Sequence, residues 1–271
     1  MPKLSLTTLR LFGSDLPTPG PSSSGETLTI GSLRISSTKP SPISQKPSSL
    51  DLTMRLVTII EDSFTIGPRG QPAQPIMDYT KAIGLKSDDK HIQYYARLYR
   101  AGVHDKLQNF GEAIADYSEL IRLGPDDLNA YSMRGTDYYE LGEFGKAVAD
   151  LSEVIRHGKG SDSEYHFRGL AYAALRQYDE ATADFEKVVS VYTEAIQLDG
   201  RDSQDYFGRD AAYFDLKQYN KAVDDYSEAI RLDSKYVDAY KSRGKAYQAI
   251  GDLTRANADF KTAQQLESGK N

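Results

Sequence analysis

Five alanines set the frame of this chain: Ala113, Ala147, Ala181, Ala222 and Ala256 follow one another at intervals of 34, 34, 41 and 34 residues. Four residues after each stands a large side chain: Tyr117, Leu151, Phe185, Tyr226 and Phe260. A matching half runs ahead of the alanines, with Tyr131, Arg134, Gly135 and Tyr138 in one copy. Tyr165, Arg168, Gly169 and Tyr172 repeat it in the next, and Tyr240, Arg243, Gly244 and Tyr247 in the last. Apolar residues within each half lie three and four apart, the spacing of one helix face. The stretches "LGEF" and "LRQY" are short turns that fold the second helix back antiparallel, and Gly135 and Gly169 sit where bulk would hold the helices apart. One such hairpin cannot bury its own apolar stripe, whereas stacked neighbours can. The pattern therefore predicts an all-α solenoid with local contacts.

This unit resembles the tetratricopeptide repeat (TPR), a 34-residue helix-turn-helix. The resemblance covers about residues 94–267 and implies a superhelix of five hairpins. Three departures stand out. The fourth copy has Asp210 where the others have glycine (Ala101 in the first), which predicts a looser junction. Only the first copy ends with the family's proline, Pro125. The third copy carries seven extra residues within "DFEKVVSVYTEAIQLDG". Phe185, Val188, Val189, Tyr192, Ala195 and Ile196 still form one stripe, so the expected result is a second helix longer by about 10 Å. That helix is either a neutral insertion or a protruding apolar stub that a partner covers.

Outside the repeats the composition changes. The first 50 residues hold 18 Ser or Thr and 7 Pro, and five Lys or Arg against two acids. Such a segment buries too little apolar surface to offset its ordering entropy. Residues 1–49 are thus expected to be a disordered arm or a transit-like leader, with short strands an alternative in "KLSLTTLRLFG" and "TLTIGSLRIS". Residues 50–93 are expected to form a degenerate repeat, because "MDYTKAIGL" matches a second helix, or else an irregular cap. Residues 268–271 are expected to be a disordered tail. In the last copy Asn257 and Gln264 replace Val or Ile, with Gln265 polar beside them, which suits a terminal capping helix or supports a dimer through the last repeat.

Several chemistries are excluded or disfavoured. With no cysteine there is no disulfide, thiolate catalysis or Cys-ligated zinc. His91, His104, His157 and His166 make no metal-ligand spacing, and no P-loop, dinucleotide-binding or nucleophile-elbow motif occurs. We expect no catalytic residue, no metal, no cofactor and no enzyme. A net charge of -6 argues against nucleic acid, and no apolar run is long enough for membrane insertion.

Each copy pairs an arginine in its first helix with an aspartate in its second: Arg100 with Asp116, Arg134 with Asp150, Arg168 with Asp184, Arg209 with Asp225, Arg243 with Asp259. The equal numbers predict a structural ion-pair ladder within or between units in preference to an anion site. The family resemblance implies a concave groove lined by the first helices. Carried over, its residues are Tyr95, Leu98, Asn129, Ser132, Tyr139, His166, Leu170, Phe207, Phe214, Lys241 and Lys245. This groove suits a peptide or helix that is apolar with an acidic end. The two-carboxylate clamp of chaperone-tail binders is missing. Its positions hold Ser132, Thr136, Phe167, Gln204 and Gly208 here, so chaperone C-terminal tails are disfavoured. The expected function is that of a cytoplasmic, non-enzymatic adaptor that binds another protein. The alternative is a structural subunit contacting its neighbours through outer faces, the long helix and the N-terminal arm.

Overall fold

A computed structural model of the chain describes residues 73–84 and 90–269. The N-terminal arm, most of the degenerate repeat and the last two residues lie outside this description. The described residues form eleven α-helices and no strand: α1 (Ala73–Gly84), α2 (Lys90–Lys106), α3 (Phe110–Leu123), α4 (Leu128–Glu140), α5 (Phe144–Arg156), α6 (Asp162–Ala174), α7 (Tyr178–Leu198), α8 (Ser203–Asp215), α9 (Tyr219–Leu232), α10 (Val237–Ile250) and α11 (Leu253–Glu267). Each packs on the helix before and the helix after it. The hairpins α2–α3, α4–α5, α6–α7, α8–α9 and α10–α11 are the five repeats, and α1 stands ahead of them as a second-type helix with Tyr79 buried.

Local chemistry sets the boundaries. Asp127, Ser161 and Asp202 cap the first helices α4, α6 and α8 through backbone N–H groups, and Glu164 completes a capping box with Ser161. In every hairpin turn one residue adopts positive φ: Gln108 (58°), Gly142 (78°), Arg176 (64°), Lys217 (59°) and Gly251 (95°). The turn geometry is shared although only two of its five residues are glycine. Between the paired helices the spacing is tight. A Cβ on Gly135 would come within 2.9 Å of Leu151, and one on Gly244 within 2.6 Å of Phe260.

The third repeat departs in register. In the other junctions, the arginine of one repeat donates to a hydroxyl two residues beyond the aspartate of the preceding second helix. These hydroxyls are Thr80, Ser118, Ser152 and Ser227, following Asp78, Asp116, Asp150 and Asp225. Arg209 instead reaches Thr193, nine residues beyond Asp184. The upper part of the 21-residue α7 thus serves its own hairpin, and the lower part serves α8. Seven residues are nearly two whole turns, so the buried face is kept while α8 shifts about 10 Å along it.

Other contacts record the same shift. Neighbouring first helices ordinarily meet through residues about one repeat apart, as Ser132 meets Glu164 and Gln204 meets Tyr236 (32 residues each). Across the shift, His166 meets Asp215, 49 residues away. Leu216, from the α8–α9 turn, packs against the Phe185 cluster. The extension is therefore no free stub, since α8 lies along it and Tyr192 presses on Gly208, where a Cβ would fall 2.1 Å from the ring. What loses cover is the opposite end. Tyr178 is 63% exposed, whereas its counterparts Phe144 and Tyr219 are half-buried.

The loosening expected at Asp210 does not occur: Arg209 still grips both oxygens of Asp225 at 2.7 Å. Asp210 is wholly buried against the Tyr226 hydroxyl, though no hydrogen bond of good geometry closes on its oxygens. Burial raises its pKa well above the usual carboxylate range.

Candidate functional site

The five arginines are fully engaged. Nε and Nη2 of each hold both oxygens of the paired aspartate at 2.7–2.9 Å: Arg100 on Asp116, Arg134 on Asp150, Arg168 on Asp184, Arg209 on Asp225 and Arg243 on Asp259. Nη1 takes the hydroxyl of the preceding repeat at 2.9–3.2 Å. Tyrosines one turn before and after flank the guanidinium, as Tyr131 and Tyr138 do for Arg134 at 5.5 and 5.7 Å. Bidentate pairing to the aspartate, more than Coulomb attraction alone, raises each arginine's pKa. The hydroxyls escape a reading that looks only for charge pairs, yet their fixed spacing of 16 residues before Arg134, Arg168, Arg209 and Arg243 is in the sequence.

The first helices carry the expected groove residues, in several environments. Tyr95 is 45% exposed, edge-on to Tyr94 and stacked with Tyr99, while Leu98 packs into the Tyr117 core. Asn129 and Ser132 line a shallow pocket of about 440 Å³ with Asp126, Asp127, Lys159 and Glu164. Ser132 donates its hydroxyl to buried Glu164 at 2.5 Å, and Tyr94 donates to Asp127 at 2.7 Å. Tyr139 meets Phe144 and Phe167, and His166 meets Phe167 and Phe185, giving a continuous ring strip across the second and third repeats. Leu170 packs on the Phe185 cluster.

Phe207 lies against Tyr226 and Tyr236, and Phe214 against Tyr219, so both belong largely to the α8–α9–α10 packing. At the C-terminal end Lys241 pairs with Glu267 at 2.5 Å, while Lys245 is exposed. Of the residues at the chaperone-clamp positions, Ser132 is bonded to Glu164, Gln204 accepts from Tyr236, and Gly208 lies under Tyr192.

The phenols at the large position of the second helices are matched by acids. Tyr117 donates to Asp105 at 2.6 Å, Tyr192 donates to Asp162 at 2.5 Å, and Tyr226 faces Asp210. Asp105 in turn meets Asp137 of the next repeat, which stands where other copies hold Val103, Ala171, Ala212 and Ala246. Burial first, and then the neighbouring Asp105 carboxylate, push Asp137 up. One oxygen of each acid, Asp105 Oδ1 and Asp137 Oδ2, is buried at the α2–α4 junction without a hydrogen bond of good geometry. No group of three or more His, Cys, Asp or Glu that could hold a metal ion occurs among the described residues.

Family models agree with this geometry. "Tetratricopeptide repeat" matches residues 132–197 and "TPR repeat" matches residues 211–251. The chain is a tetratricopeptide-repeat protein. Two solved TPR proteins share the arrangement of helices. One, from Parabacteroides merdae, has 20% identity and a TM-score of 0.52 over 79% of this chain and 93% of that one. The other, TTC0263 of Thermus thermophilus, has 19% identity and a TM-score of 0.52 over 65% and 93%. At such identity the likeness is one of fold. A search of curated proteins returns no match. In this TPR protein, no helix among the described residues is long and apolar enough to cross a membrane.

Proposed function

We propose that this TPR protein is a non-enzymatic adaptor that holds a peptide or helical segment of another protein against its first helices, in the cytoplasm or, if residues 1–49 are a leader, in an organelle. A general role in protein interaction follows from the fold. The observation that supports the groove is the half-exposed ring strip of Tyr139, Phe167 and His166 on α4 and α6. Since the ladder occupies every repeat arginine, recognition falls to these rings and to the free polar groups beside them. An acidic end on the bound segment would be met by Lys245, because Glu267 already neutralises Lys241.

The test is site-specific photo-crosslinking in the native cell, with the crosslinker at Tyr95 or Tyr139 and, separately, at Ala149 or Lys187 on exposed parts of second helices. The adaptor reading expects partner adducts at the first pair. Adducts confined to the second pair would favour the structural-subunit reading, to which uncovered Tyr178 lends support. Alanine at Phe207 or Phe214 is a poor probe of binding, since it also removes packing against Tyr226, Tyr236 and Tyr219.

A further inference from the structure

The ladder shows how this chain holds a cation: each of the last four arginines lies 5.5–5.9 Å from two tyrosine rings and closes on a carboxylate. A second set of rings and carboxylates occurs on the first helices, and among the described residues no lysine or arginine lies over its Tyr139 and Phe167 rings. Tyr139 and Phe167, from adjacent first helices, meet edge to face at 5.6 Å and 66°. Glu140 follows Tyr139 at the end of α4; it is exposed and makes no ion pair or hydrogen bond among the described residues. Asp215 arrives from the end of α8, fixed by a 2.7 Å bond from His166 Nε2. Burial raises the Tyr139 pKa, and Glu140 and then Asp215 raise it further, so both carboxylates act on the same ring. In an unshifted stack Asp215 would stand level with Ala174, its counterpart in the third repeat, just over two turns from His166.

We propose that Tyr139, Phe167, Glu140 and Asp215 receive a basic side chain, lysine or arginine, from the segment that occupies the groove. This rests on the groove reading and adds to it the charge of the central anchor. Ring faces and carboxylates both attract a cation, and partial burial strengthens the attraction over its exposed value. An acidic side chain at this point would face two like charges. The site depends on the register shift as well as on composition, because the shift carries Asp215 to His166.

The experiment selects random dodecapeptides, displayed on phage, against the full chain, and measures the winners by fluorescence anisotropy. Asn129→Trp places bulk at the exposed start of α4 and identifies groove-dependent winners, with circular dichroism verifying that each variant folds. Such winners should carry a required lysine or arginine. Replacing it with norleucine, or introducing Glu140→Lys, should weaken binding by about tenfold, and glutamate in the peptide should regain affinity for Glu140→Lys. Groove-dependent winners that need no basic residue, or that ignore Glu140→Lys, overturn the anchor and leave the groove standing. If no winner responds to Asn129→Trp, the groove reading itself falls.

Discussion

A buried phenol needs somewhere to put its hydroxyl, and this chain meets the need with acids where its other repeats need none. Leu151, Phe185 and Phe260 pack beside glycine, whereas Tyr117 and Tyr226 bring Asp105 and Asp210 with them. The consequence is a set of carboxyls whose pKa burial raises in the fold above that of the unfolded chain. The sign follows: the folded state binds more protons, so stability falls as pH rises from the ordinary carboxylate range to about 9 at Asp137. Asp137→Ala, the residue of three other repeats, should therefore raise the melting temperature at pH 8 more than at pH 4. Thermal melts across that range check it, and an unchanged wild-type-minus-variant difference would contradict it. At the turns, Lys217→Gly should stabilise by about 1 kcal/mol in urea unfolding, because Lys217 is held at positive φ. The sequence shows Asp210 plainly as a replaced glycine. What it hides is the partner, since Tyr226 lies on another helix and the pairing is a matter of depth as much as of spacing.

At the scale of the element, α7 joins two registers in one helix. Its stripe was legible because seven residues keep the face, but a stripe says which side is buried and not which neighbour buries it. The missing signal was "YTEAIQLD" beside "YSEAIRLD": Tyr192 and Thr193 are the counterparts of Tyr226 and Ser227, so the second-helix motif occurs twice in the third repeat. Deleting residues 186–192 would put Thr193 two residues after Asp184 and restore the ordinary spacing. That variant should stay helical by circular dichroism, cover Tyr178 against surface labelling, and lose the His166–Asp215 contact. Within either register the ladder holds repeats together. Arg209→Ala leaves the buried Asp225 without its fork and should cost about 2–4 kcal/mol in denaturant unfolding, less than for two wholly buried charges because Arg209 is partly open to solvent. Arg156→Ala, on an exposed pair, should have little effect.

At the scale of the whole solenoid, the described helices pack chiefly on their consecutive neighbours and on nearby first helices, so cohesion passes from layer to layer. Periodicity made this architecture legible, because five copies in phase leave few alternatives. The groove was less legible. Phe207 and Phe214 belong mainly to the packing, and sequence spacing cannot separate an aromatic facing solvent from one facing the next repeat. The last layer also ends the series: Lys261 occupies the place where other copies hold the hydroxyl for an incoming arginine. Sedimentation should accordingly show no end-to-end addition of copies through α11, and concentration-dependent growth abolished by Lys261→Glu would contradict this. The shift at α7 turns the face of the first helices into a stair with a riser of about 10 Å. A rigid straight rod laid on the lower tread cannot also rest on the upper one. Anything that spans the full length must bend at the landing or arrive as two short pieces.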